Sequence, residues 1–116
     1  MSLRLLFIAL DNMRFNKTNK YHNKITYVNG IRFASKKEAE RYKILKIIHL
    51  KNQIQGLTLQ PRFDFPMGFS YIADFSYMAN GQMIVEDVKG IETGVFKLKK
   101  KCFEYFYPFI ELKIVR

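Results

Sequence analysis

Tryptophan is absent from the 116 residues, and cysteine occurs once, at Cys102. A single thiol excludes an intramolecular disulfide and any cysteine zinc cluster, so a reducing cytoplasmic setting fits best. Acidic residues are also scarce. Ten Asp and Glu stand against twenty Lys and Arg, for a formal charge of +10. A surplus of this size on so short a chain favours a polyanionic partner, either nucleic acid or an anionic membrane surface. The apolar run at residues 3–10 (LRLLFIAL) contains Arg4 and is far shorter than the ~20 residues a membrane span requires. No small-residue cleavage site follows it, so it reads as an added strand or short helix and not as a leader or anchor. A glycine-rich phosphate loop, a Gly-x-Ser-x-Gly elbow and a His-Glu-x-x-His helix are all missing. Nucleotide cofactors, acyl transfer and zincin chemistry therefore have no signature here.

What is present is 48% apolar, with 11 Phe and 7 Tyr, enough for one small folded domain. A chain this short has limited interior for so many rings, so some are expected at the interface of a homodimer. Residues 1–19 read as an N-terminal extension and residues 20–116 as the domain. Asn29-Gly30 marks a first hairpin within residues 25–33. Ser35 and Glu38 have the spacing of a capping box, and Ala39, Tyr42, Leu45 and Ile48 continue a helix to about residue 50. Residues 57–65 read as extended, with Pro61 at an edge or bulge. Residues 71–77 and 83–88 form a second hairpin around Asn80-Gly81. Thr93 or Gly94 starts another helix, which Pro108 stops, and residues 109–115 alternate as a closing strand. The class is α/β: a mixed central sheet flanked by helices and preceded by a hairpin.

The second hairpin makes a geometric prediction. With Asn80-Gly81 at the tip of a two-residue turn, paired residue numbers sum to 161, which sets Asp74 opposite Asp87. Lys89 shares that face and Glu86 takes the other. Opposed carboxylates repel unless something neutralises them. A hard cation, Mg²⁺ or Mn²⁺, does so with oxygen ligands, and it activates bound water for attack on a phosphate. Lys89 would orient that water or balance developing charge; alternatively, it is simply the ion partner of exposed edge acids. Glu38 falls in the middle of the apolar stripe of the first helix, where a carboxylate needs a partner. It is a third site acid, a helix cap, or both. Lys99 sits on the apolar side of the second helix, reaching a phosphate or the acids, or snorkelling to solvent. Gln60, before Pro61, is a polar site residue or a strand-end hydrogen bonder. Lys20, Tyr21, Lys24 and Lys36, with Lys97, Lys100 and Lys101, are candidates for phosphate-backbone contact. His22 and His49 show no ligand spacing and read as surface or loop residues.

A helix acid, a strand Asp and an Asp-x-Lys on the paired strand together resemble the PD-(D/E)XK nuclease superfamily. The stretches at residues 20–24, 33–42 (FASKKEAERY), 59–61, 72–75, 85–90 (VEDVKG) and 96–101 resemble a group of short phage-encoded proteins within it. Ala73 replaces the proline that often precedes the Asp. The resemblance implies a restriction-endonuclease-like core and Mg²⁺-dependent phosphodiester cleavage. It implies Asp74, Asp87 and Glu38 as metal ligands, Lys89 as the catalytic lysine and Gln60 as a supporting group. Its relatives resolve Holliday junctions or process recombination and packaging intermediates, so branched phage DNA in a bacterial host is the expected substrate. The competing expectation is a basic DNA-binding accessory protein without catalysis.

Overall fold

The computed structural model describes residues 24–116. The chain divides into two compact units, one ending at Leu45 and the other running Lys46–Arg116.

In the first unit, β1 (Thr26–Val28) and β2 (Ile31–Phe33) pair antiparallel, with Val28 opposite Ile31. The turn between them places both Asn29 (φ 52°) and Gly30 (φ 78°) in the left-handed region. That is the requirement of a type I′ hairpin, and Asn-Gly meets it at least cost. Helix α1 (Lys36–Leu50) follows, its first ten residues in the first unit and its last five in the second. Ser35 Oγ accepts the Glu38 N–H at 3.1 Å, which satisfies one of the free donors of the first turn. The buried positions Glu38, Ala39, Tyr42 and Leu45 have the expected helical spacing, and the Tyr42 ring lies 5.0 Å from that of Phe33. At its far end α1 closes in a Schellman motif. Asn52 turns left-handed (φ 58°), its N–H donates to His49 O, and Gln53 N–H donates to Ile48 O. His49, expected on a surface or loop, is a half-buried residue of the last helical turn.

The second unit holds β3 (Gln55–Leu59), β4 (Arg62–Asp64), β5 (Ser70–Ile72), β6 (Phe75–Ala79), β7 (Gln82–Val88), α2 (Gly94–Phe106) and β8 (Glu111–Val115). Four of these strands make one mixed sheet in the order β3-β6-β7-β8, and β4 and β5 form a separate ribbon. β6 and β7 meet antiparallel over an Asn80-Gly81 turn with φ 52° and 76°. All five of their pairs, from Ala79↔Gln82 to Phe75↔Glu86, sum to 161 as expected. β8 joins β7 in parallel, and α2 supplies the crossover that a parallel pair requires. Thr93 caps α2 by accepting the Phe96 N–H at 3.1 Å, and Tyr107 ends it before Pro108.

Two segments expected as continuous strands are each broken. Residues 57–65 divide at Gln60 (φ 55°) and Pro61, and residues 71–77 divide at Ala73 and Asp74. The breaks are bonded to each other: Gln60 N–H donates to Asp74 O at 2.9 Å, and Ala73 N–H donates to Pro61 O at 3.0 Å. Pro61 has no N–H to continue a ladder, and the left-handed Gln60 redirects the chain. The sheet therefore forks at Asp74, and β4 and β5 leave as their own ribbon. One face of the sheet packs Val85 in a cluster with Phe96 and Phe103 of α2, Phe63 and Tyr71 of the ribbon, and Phe65 of the loop joining the ribbon's strands. Among the described residues no helix is long and apolar enough to cross a membrane.

Candidate functional site

The fork exposes the ends of β6 and β7 to each other. Pairing stops at Phe75↔Glu86, so Asp74 lies just beyond the ladder that was expected to include it. Its N–H donates to Glu86 O at 3.1 Å. Its carboxylate turns to the neighbouring strand, where Oδ2 accepts the Val88 N–H at 2.7 Å. A side chain thus takes over a backbone acceptor's role, and this fixes the Asp74 carboxylate between Asp87 and Lys89 in sequence.

Asp87 is 2% exposed, although it is a carboxylate. Burying a carboxylate is costly unless donors and countercharge surround it. Two groups do so here. The Tyr71 hydroxyl donates to Oδ2, and Lys89 Nζ stands 3.3 Å from Oδ1. Burial raises the Tyr71 pKa far above the usual phenol value, and the negative charges of Asp87 and then Asp74 add to the rise. The phenol therefore stays a proton donor at any ordinary pH. Because both carboxylates act on the same hydroxyl, Asp74, Asp87 and Tyr71 form one local group. Lys89 is held from a second side as well, its Nζ lying 4.5 Å from the centre of the Phe96 ring, an attractive cation–π arrangement.

Glu86 points to the other face of the sheet, as the alternation requires. It is fully buried and accepts a hydrogen bond from the Tyr77 hydroxyl. Tyr77 pairs with Ile84, so it is the diagonal neighbour of Glu86 on that face, a contact that long side chains make across a ladder. That partner was readable from the register. The Tyr71 contact was not, because β5 meets β7 only after leaving the sheet, and Phe96 as a platform for Lys89 was missed for a similar reason.

The other expected residues are placed as follows. Gln60 is tied to the site through its backbone bond to Asp74. Lys99 is half-buried on α2, and Lys100 likewise, whereas Lys97 and Lys101 are exposed. Lys24 and Lys36 are exposed in the first unit, and Lys20, Tyr21 and His22 lie outside the described residues. Glu38 is buried in the first turn of α1 and belongs to the first unit.

Among the described residues no three His, Cys, Asp or Glu side chains gather as a metal-binding group. The donor set at the fork is therefore the pair Asp74 and Asp87. A Mg²⁺-type ion is commonly held by one or two carboxylates and several waters. A carboxylate has about four acceptor sites, more than the Tyr71 and Lys89 contacts of Asp87 occupy. The pair fits a hard divalent cation.

Residues 18–116 match the family described as "Protein of unknown function (DUF1064)", and the chain belongs to that family. None of the curated proteins matches it.

Proposed function

We propose that the chain is a metal-dependent endonuclease that hydrolyses phosphodiester bonds of DNA, with Asp74, Asp87 and Lys89 at its centre. One observation carries the reading. A nearly inaccessible Asp87 is held by Tyr71 and Lys89 at a strand end, and Asp74, which faces the same strand, is fixed by the Val88 N–H. Groups of this kind cluster at functional sites, and a site that binds a cation and manages charge on a phosphate has use for both carboxylates and the ammonium. The charge of +10 supports a polyanionic substrate, and the resemblance to PD-(D/E)XK nucleases supports phage recombination DNA, branched or otherwise structured.

Bound Mg²⁺ or Mn²⁺ would supply Lewis-acid stabilisation and a more acidic water. Asp74 and Asp87 would hold the ion, with water completing its shell. Lys89 aims its ammonium across the site, where it orients a water or offsets negative charge on the phosphate. Tyr71 keeps Oδ2 of Asp87 in place, and Phe96 limits the swing of Lys89. A homodimer would present two such sites to two strands.

A second reading has an observation in its favour: Lys89 and Tyr71 already satisfy Asp87, as they would in a DNA-binding protein without catalysis. One experiment separates the two. Labelled junction, flap, gapped and linear DNA are incubated with Mg²⁺ and wild type, Asp87→Ala or Glu86→Gln. The nuclease reading expects metal-dependent cleavage by wild type, none by Asp87→Ala, and cleavage retained by Glu86→Gln, whose side chain faces away. DNA binding with no cleavage of any substrate by wild type would leave the accessory reading in its place.

A further inference from the structure

Helix α2 presents a ridge to solvent that the site does not use. Lys97, Lys101 and Tyr105 follow at intervals of four, so they stand in a row along one side of the helix. All three are exposed, Tyr105 to 78%. Leu98, beside the row, is 58% exposed. The core-facing positions of α2 are filled by Phe96 and Phe103, so the Tyr105 ring does not serve the interior. Its ring neighbour is Phe106, edge-on at 5.0 Å.

Charge decides what would cover this row. α2 carries Lys97, Lys99, Lys100 and Lys101 against the single acid Glu104. A second copy of the ridge would set lysine against lysine, and an apolar peptide would leave the ammonium groups without counter-charge. A polyanion whose units carry flat apolar faces satisfies both the lysines and the ring. Duplex bases are already stacked on one another, whereas unpaired bases are free to stack on an aromatic side chain.

We propose that the Lys97–Lys101–Tyr105 ridge is a platform for single-stranded DNA, with a base stacked on Tyr105 and backbone phosphates on the two lysines. The same helix places Phe96 against Lys89, so ridge and candidate site are joined by one rigid element. Nine residues separate Phe96 from Tyr105, about 14 Å along the axis. An unpaired strand on the ridge is thereby held within a few nucleotides of the fork. For the substrate, this rests on the nuclease reading and sharpens it: a flap or gapped duplex is preferred to a fully paired junction. The binding itself is independent of that reading.

The test uses the full chain in EDTA, where no cleavage occurs, and fluorescence anisotropy with labelled oligo-dT and a duplex of equal length. Wild type is expected to bind oligo-dT at least as tightly as the duplex. Tyr105→Ala is expected to weaken oligo-dT binding by about 5- to 100-fold and duplex binding less than about twofold, with Tyr105→Phe restoring it. Lys101→Gln should lower the log–log salt slope on oligo-dT by about 0.7. Circular dichroism verifies that the variants keep the fold, which the exposure of Tyr105 favours. Unchanged oligo-dT affinity in Tyr105→Ala, or an equal loss on both DNAs, overturns the platform. So does a loss that accompanies dissociation of a dimer in sedimentation, which would make the ridge a contact between copies. Adding Mg²⁺ and flap DNA separates the two claims. Tyr105-dependent binding without cleavage removes the nuclease and keeps the platform, and cleavage with Tyr105-independent binding does the reverse.

Discussion

The two oxygens of the buried Asp87 meet different donors, a phenol at Oδ2 and an ammonium at Oδ1. The phenol contact has the greater consequence for a cation. Lys89 is more than a quarter exposed and can yield to an incoming ion, whereas Tyr71 is locked in the core beside Phe96 and Phe103. Groups that bond a ligand's free positions orient it, and losing one commonly costs about 10- to 100-fold in metal affinity. Tyr71→Phe should therefore weaken Mn²⁺ binding by that factor while leaving the ring in place, which calorimetric titration measures. Tb³⁺ gives an independent signal. The chain has no Trp, so tyrosine must sensitise any Tb³⁺ emission. The phenol bonded to Asp87 should dominate that emission and its loss should largely remove it. A variant that binds Mn²⁺ as tightly as wild type and keeps the Tb³⁺ emission would reduce Tyr71 to a packing residue.

Elements in this chain are closed by short polar devices, and these were the legible part of the fold. Asn29-Gly30 and Asn80-Gly81 announced both hairpins because few other pairs enter the left-handed region twice at low cost. Ser35 and Thr93 announced helix starts, and Pro108 announced a stop. The second hairpin also fixed the facing of Asp87, Lys89 and Glu86, so half of the candidate site could be read from a register. The fork could not. Gln60 carries no residue-type signal for a positive φ, and β4 pairs with β5 through contacts no local pattern encodes. Tyr71 was therefore read as part of the wrong strand. One closure remains testable. The Arg116 guanidinium, at the end of β8, bonds Glu92, just before α2, and holds its carboxyl below its usual pKa of 4.5. A carboxyl with a depressed folded pKa adds stability above its unfolded pKa and loses it as pH falls through the folded value. Wild type should thus melt above Glu92→Gln at pH 7, and the gap should close under acid, below about pH 4. Scanning calorimetry across that range checks it, and a gap that persists or widens in acid would show that the pair does not act through ionisation.

At the scale of the whole molecule, the charge of +10 decides how binding responds to salt, and the response reports which units touch DNA. On duplex DNA each neutralised phosphate contributes about −0.9 to the slope of log K against log salt. The candidate phosphate-contacting lysines of α2 are Lys97, Lys100 and Lys101, exposed or half-exposed, which gives a slope near −2.7 if they alone bind. Lys24 and Lys36 are the exposed candidates in the first unit, and including them brings the slope to about −4.5. We expect the steeper value, because the family match, residues 18–116, includes both residues. The affinity should then fall by roughly 500-fold between 50 and 200 mM salt. The double variant Lys24→Gln/Lys36→Gln should flatten the slope by about 1.8 without altering the fold, since neither side chain is buried. If the slope is already near −2.7 in wild type and the double variant leaves it there, DNA binding is confined to the second unit. In that case the lysines of the second unit alone would hold the phosphates that the two-aspartate site acts on.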